Sequence, residues 1–214
     1  MLAIGLSAVA GAVLVLWYLT FARYNRQLAA RILGRVQMAW RGRVTGTRWA
    51  GSSQLYVGLQ VPFSIFRRTR VTMRLLPRPV PTNWVLSVLR KQRETITFEA
   101  DLDQAPSFNL EIHHHRWSGR SPKATRSQDW TLSHPGPIVL TTREDWDEDH
   151  NPMIHALLAS RERAFLSVRF CPESPHFSAT LPLESVPDQD AAAEVLGSLR
   201  ELAAGARARG TSTP

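Results

Sequence analysis

From Leu2 to Ala22 the chain runs for 21 residues without a charged side chain. At a rise of about 1.5 Å per residue, a helix over this run is roughly 30 Å long, the hydrocarbon thickness of a bilayer. A soluble core helix of that length would carry a polar face, yet Ser7 and Thr20 are the only small polar side chains in it. A cleaved export signal is the rival reading. It asks for Lys or Arg before the apolar run and a small-residue cleavage site after it. Here no charged side chain precedes the run, and Trp17, Tyr18, Phe21 and Tyr24 crowd its far end. Amphipathic rings sit at headgroup level in membrane helices. Residues 1–22 are therefore read as an uncleaved transmembrane anchor.

Arginines set the direction. Arg23, Arg26, Arg31 and Arg35 follow the span, with Arg41 and Arg43 close behind. Positive flanks stay cytoplasmic, so the amino terminus is expected outside and the remainder inside the cell, at a bacterial inner membrane. The aromatic cluster and Arg23, Arg26, Arg31 and Arg35 are the expected membrane-interface residues. Within the span Ala3, Ser7 and Gly11 recur every four residues, a small-residue stripe that lets another helix approach closely.

Residues 23–42 predict a basic juxtamembrane helix. Leu28, Ala29, Ile32, Leu33, Val36 and Trp40 fall on one arc and the arginines on the other. Two placements are open for it: flat on the lipid surface, or packed on the domain or a partner.

Beyond Gly42 the texture changes to short extended runs: 43–50, 55–65, 70–76, 84–90, 94–100, 108–117, 137–142, 164–170 and 176–182. Pro-rich 77–83 and polar 118–128 read as loops. A helix opens at Asn151 with Pro152 in its first turn, and another spans about 188–206, with Val195, Leu196, Leu199 and Leu202 on one face. The expected fold class is α+β: the anchor, then one cytoplasmic domain over 43–206 with a mostly antiparallel sheet and two or three helices, then a loose tail over 207–214.

Charge is strongly uneven. No Asp or Glu precedes Glu94, and all 18 acids come after residue 93, while 15 of the 26 basic residues come before Glu94. Such asymmetry points to a polyanion or a membrane surface on one side. Arg67, Arg68, Arg70 and Arg74 are the candidate contacts for a partner or an anionic surface, with Arg68, Arg70 and Arg74 alternating onto one strand face.

Chemistry is thin. His113 and His115 share a strand face with Glu111, a weak candidate set for a transition metal against the plainer reading of a polar outer face. Asp145, Asp147 and Asp149 start like a Ca²⁺ loop, but His150 stands where Gly is needed and Ala156 where a bidentate Glu is needed. These acids instead face the positive end of the helix after Asn151. Cys171 is a lone thiol without an adjacent base, which also excludes an intrachain disulfide framework. Phosphate-loop, dinucleotide, hydrolase-elbow and zinc-protease motifs are missing from the sequence, as are nucleic-acid-binding signatures. No cofactor is expected, and nucleic acid is not an expected partner.

These features lead to a non-catalytic accessory or scaffold subunit of a larger inner-membrane complex, respiratory or photosynthetic among the options. Membrane lipids and other membrane subunits are its expected partners. Two alternatives stand beside it: an anchored module that binds anionic lipid or another polyanion, and a metal-dependent enzyme built on His113 and His115.

Overall fold

The computed structural model describes residues 2–114, 131–133, 138–142 and 165–207. His115, the loop at 118–128, the acids at 143–150, the helix expected after Asn151 and the tail from 208 lie outside the described residues.

Helix α1, Leu2–Trp40, is continuous over 39 residues, so the anchor and the juxtamembrane segment are one rod. Its end is closed by a two-bond cap: Arg41 N–H donates to Met38 O (3.3 Å) and Gly42 N–H to Gln37 O (3.2 Å). Arg41 takes the left-handed conformation (φ 48°) that this cap demands.

Strands β1 (Arg43–Ala50), β2 (Gln54–Gln60), β3 (Phe66–Arg74) and β4 (Thr95–Leu102) form a meander. β5 (Leu110–His114), β6 (Thr131–Ser133), β7 (Ile138–Thr142), β8 (Ser167–Phe170) and β9 (Phe177–Pro182) complete a nine-stranded sheet ordered β1-β2-β3-β4-β9-β8-β5-β7-β6. Every described ladder is antiparallel, and with its helices the fold is α+β. β6 is a strand that the sequence pattern does not announce.

The alternation of side chains explains how one face becomes core. Val57, Val71, Phe98, Ala179, Val168 and Ile112 stand in register across six strands, and all are buried. One residue further along each strand, the opposite face carries Tyr56, Thr72, Thr97, Thr180 and Ser167, of which Thr97 and Thr180 share a 3.0 Å hydroxyl contact. The lower half of α1 and helix α3 (Gln189–Arg207) join the apolar face in a single cluster. Ala29, Ile32, Val36 and Trp40 are buried there, so of the two placements open for residues 23–41 the chain takes packing on the domain. Trp40 joins all three layers. Its ring meets Phe98 of β4 edge-on at 5.1 Å, and its indole N–H donates to Ala192 O of α3 at 2.8 Å.

One expected strand is a helix. Residues 84–89 belong to helix α2 (Pro81–Leu89), with Arg90 as its C-cap, so the segment 77–83 is not loop throughout. Pro81 fills the first helical position, where its missing N–H costs nothing. The helix ends in a second left-handed cap: Lys91 (φ 51°) donates to Val88 O and Gln92 N–H to Ser87 O, both at 2.9 Å. A short apolar run has no periodicity strong enough to separate strand from helix, and here the caps decide.

Candidate membrane interface

α1 changes environment halfway along. Val9, Val13, Leu14, Val15, Leu16 and Leu19 are all more than half exposed. The helix is long and apolar enough to cross a membrane, and its most apolar window has no residue buried in the protein. From Asn25 onward one side of the helix is buried. Hydrocarbon-like side chains on the exposed half and an ordinary protein core around the other half place the boundary near Phe21–Tyr24.

A polar clamp sits just past that boundary. Asn25 is fully buried, and its amide donates to Ser52 O and Leu76 O, each at 3.0 Å. Its carbonyl accepts from Arg78 Nη1 at 3.1 Å. The same nitrogen is paired with Glu94, whose Oε1 also accepts from Leu76 N–H at 3.0 Å. Arg78 and Glu94 are each 17% exposed. Buried polar groups demand partners, and in this cluster each finds one. The result ties α1, the β1–β2 turn and the segment before α2 into one unit.

Aromatic rings sit directly above. Trp17 donates its indole N–H to Arg78 O at 3.0 Å, its ring lies 5.9 Å from Trp84 of α2, and Phe21 lies 6.3 Å from Trp84. The Arg78 guanidinium covers the Tyr24 ring at 5.1 Å, while Tyr18 and Tyr24 remain 48% and 42% exposed. Of the aromatic cluster read from the sequence, Trp17 and Phe21 are therefore gathered with α2, a partner the sequence did not suggest.

The arginines divide. Arg23, Arg26 and Arg31 are exposed on α1. Arg35 is turned to the domain and donates to Val186 O at 3.4 Å, about 20 Å beyond Phe21 along the helix. In the small-residue stripe, a methyl group added at Gly11 would meet nothing within 4 Å.

Away from this region, Arg68, Arg70 and Arg74 project from the polar face of β3 as the alternation predicts, and Arg67 is exposed beside the bulge that separates Phe66 from Arg68. Arg70 faces Glu99 at 4.0 Å, and Arg68 stands opposite Asp101. Glu111 is in register with Arg169 of β8, and His113 with Ser167. Among the described residues no group of three or more His, Cys, Asp or Glu gathers as metal ligands would. Cys171 is a buried thiol that receives a long contact, 3.9 Å, from Arg169.

Sequence reasoning missed Asn25, Arg78, Trp84 and Glu94. One signal was available: Glu94 is the first acid of the chain, preceded by 15 basic residues, and a lone acid in that setting has a cation to meet.

No protein-family model matches the chain, and no curated relative matches it. Among solved structures, the mycobacterial trehalose monomycolate transport factor A, TtfA, is similar at 12% identity with a TM-score of 0.46, over 85% of this chain and 96% of that one. A likeness at that level carries no argument about what this chain does.

Proposed function

We propose that the protein is a non-catalytic accessory or scaffold subunit of a bacterial inner-membrane complex, with its sheet domain on the cytoplasmic side. One observation carries the reading: α1 is a single helix whose exposed apolar half continues without a break into a half buried in the domain core. A domain tethered by a flexible linker would sample a wide volume. A domain built around the anchor helix itself is held at a fixed height and angle, as a subunit that positions others must be. The arginines after the span support the cytoplasmic placement. The small-residue stripe gives the span a face for a neighbouring helix, and the polar outer sheet face, with Arg68, Arg70 and Arg74, is open to partner loops or lipid headgroups.

The test is gentle extraction from native membranes at native expression level, followed by size analysis and identification of what travels with the chain. A stable assembly several times the 24.1 kDa of the chain supports the reading. Monomer alone, or a carboxyl-terminal tag reachable from the outer side of the membrane, overturns it.

A further inference from the structure

Helix α2 is inside out. Val85, Leu86, Val88 and Leu89 are 49%, 47%, 53% and 72% exposed, whereas the residue it buries is Ser87, at 5%. Projected at about 100° per residue, the four apolar side chains span an arc of roughly 160°, with Ser87 diametrically opposite. A helix facing water would present the reverse pattern. Its position supplies the reason. Trp84 rests against Trp17 and Phe21, so α2 lies beside the exposed apolar half of α1 at the level of the interfacial rings. The bond from Trp17 to Arg78 O and the Asn25–Arg78–Glu94 clamp hold the helix at that height. Directly after α2 come Arg90, Lys91 and Arg93, all exposed, with Arg93 paired to Glu184 at 3.0 Å.

We infer that α2 is a second membrane contact: a short helix lying at the headgroup–acyl boundary, with Val85, Leu86, Val88 and Leu89 immersed in lipid and the basic segment after it against anionic headgroups. The occupant of this face is the bilayer that α1 crosses, because the face continues α1's own apolar surface and ends in cations. Two anchoring points at different places around the domain fix its rotation about the α1 axis, which one helix cannot do. The inference rests on the reading of α1 as a membrane span.

The full chain is reconstituted in vesicles containing anionic lipid, with an environment-sensitive fluorophore on Leu86→Cys, Leu89→Cys, Leu14→Cys or Arg70→Cys. Each replaces an exposed side chain, and the parental protein, whose Cys171 is buried, is the blank. Lipids carrying a nitroxide near the acyl carbonyl or near the terminal methyl report depth. The expected result is loss of most of the emission at 86 and 89 with the shallow nitroxide, stronger loss with the deep one at 14, and none at 70. Probes at 86 and 89 that behave like the one at 70, while 14 is quenched, overturn the inference and leave the span intact. Absence of quenching at 14 overturns the span and the inference together. Probes at 86 and 89 that are shielded from aqueous iodide yet untouched by either nitroxide mean that a second copy or another protein covers the face, which also overturns the inference.

Discussion

Asn25 shows what a single side chain does at the point where the exposed apolar half of α1 gives way to the half packed in the domain. A fully buried amide within a helix is costly unless its donors and acceptor are all used, and here two carbonyls and one guanidinium use them. Asn25→Ala takes the amide donor from Ser52 O and from Leu76 O, the latter keeping its bond from Arg78 N–H at 2.8 Å, so it should lower the unfolding free energy by about 1–3 kcal/mol. Asn25→Asp keeps an acceptor for Arg78 but turns an oxygen towards the two carbonyls. It should therefore destabilise as well, which separates loss of the donor from loss of volume. Denaturant unfolding in detergent micelles reads both. Arg41 makes the opposite case. Its φ of 48° serves the cap of α1, at a strain of about 1 kcal/mol for a residue with a Cβ. Arg41→Gly removes that strain, and the unfolding midpoint should rise. Gly58 is a third point of control: a methyl group there would meet Thr45 Oγ1 at 2.5 Å across the β1 bulge. Gly58→Ala should turn the exposed Thr45 side chain aside and loosen the edge pairing at a cost of about 1 kcal/mol, visible as faster amide exchange in β1 than in the parent chain's β1.

At the scale of elements, Trp40 is where helix, sheet and second helix meet. Trp40→Ala empties the space between Phe98 and α3 and should cost about 3–5 kcal/mol. Trp40→Phe retains most of the ring contact but removes the indole donor from the Ala192 carbonyl, which keeps its partner within α3, so a loss of about 1 kcal/mol is expected. If Trp40→Phe unfolds like the parent chain, the hydrogen bond carries nothing. Trp40 was legible from the sequence, because its spacing with Ala29, Ile32 and Val36 gives the buried side of α1 directly. The sheet was legible for the same kind of reason: alternation in LYVGLQV and TITFEA states which side of β2 and β4 is core. α2 was not. Pattern reading assumes water on the outer side of every element, and WVLSVL carries apolar residues on the side away from the core. With water as the assumed solvent such a run reads as a buried strand. With lipid as the solvent it is an amphipathic helix seen from the other side. The clamp was hidden for a different reason: Asn25, Arg78 and Glu94 are far apart in sequence, and ordinary singly.

For the whole molecule, the uneven distribution of charge takes on a second meaning once folded. Ion pairs join arginines from before residue 94 to glutamates from residue 94 onward, as in Arg70–Glu99, Arg78–Glu94 and Arg93–Glu184. Part of the asymmetry is thus answered within the chain, and the more exposed pairs, Arg70–Glu99 and Arg93–Glu184, contribute little to stability. The larger consequence concerns where the domain begins. A boundary at residue 43, natural on texture, would strip away Ala29, Ile32, Val36 and Trp40 and uncover the sheet face they seal. These side chains each bury at near-zero exposure, and losing them together should remove more than the roughly 5–15 kcal/mol that holds a typical domain folded. A chain starting at residue 43 should therefore be insoluble or lack cooperative unfolding. A chain starting at residue 23 keeps the clamp and the buried half of α1, and should fold, although without Trp17 and Phe21 it uncovers Trp84 beside the already exposed apolar side of α2. That second chain should accordingly bind vesicles of anionic lipid through α2 alone, weakly and with steep dependence on salt. Far-ultraviolet circular dichroism with thermal unfolding decides the first comparison and vesicle sedimentation the second. Equal folding of the two chains would mean that the lower half of α1 is a passenger on the sheet, and the rigid placement of the domain at the membrane would lose its physical basis.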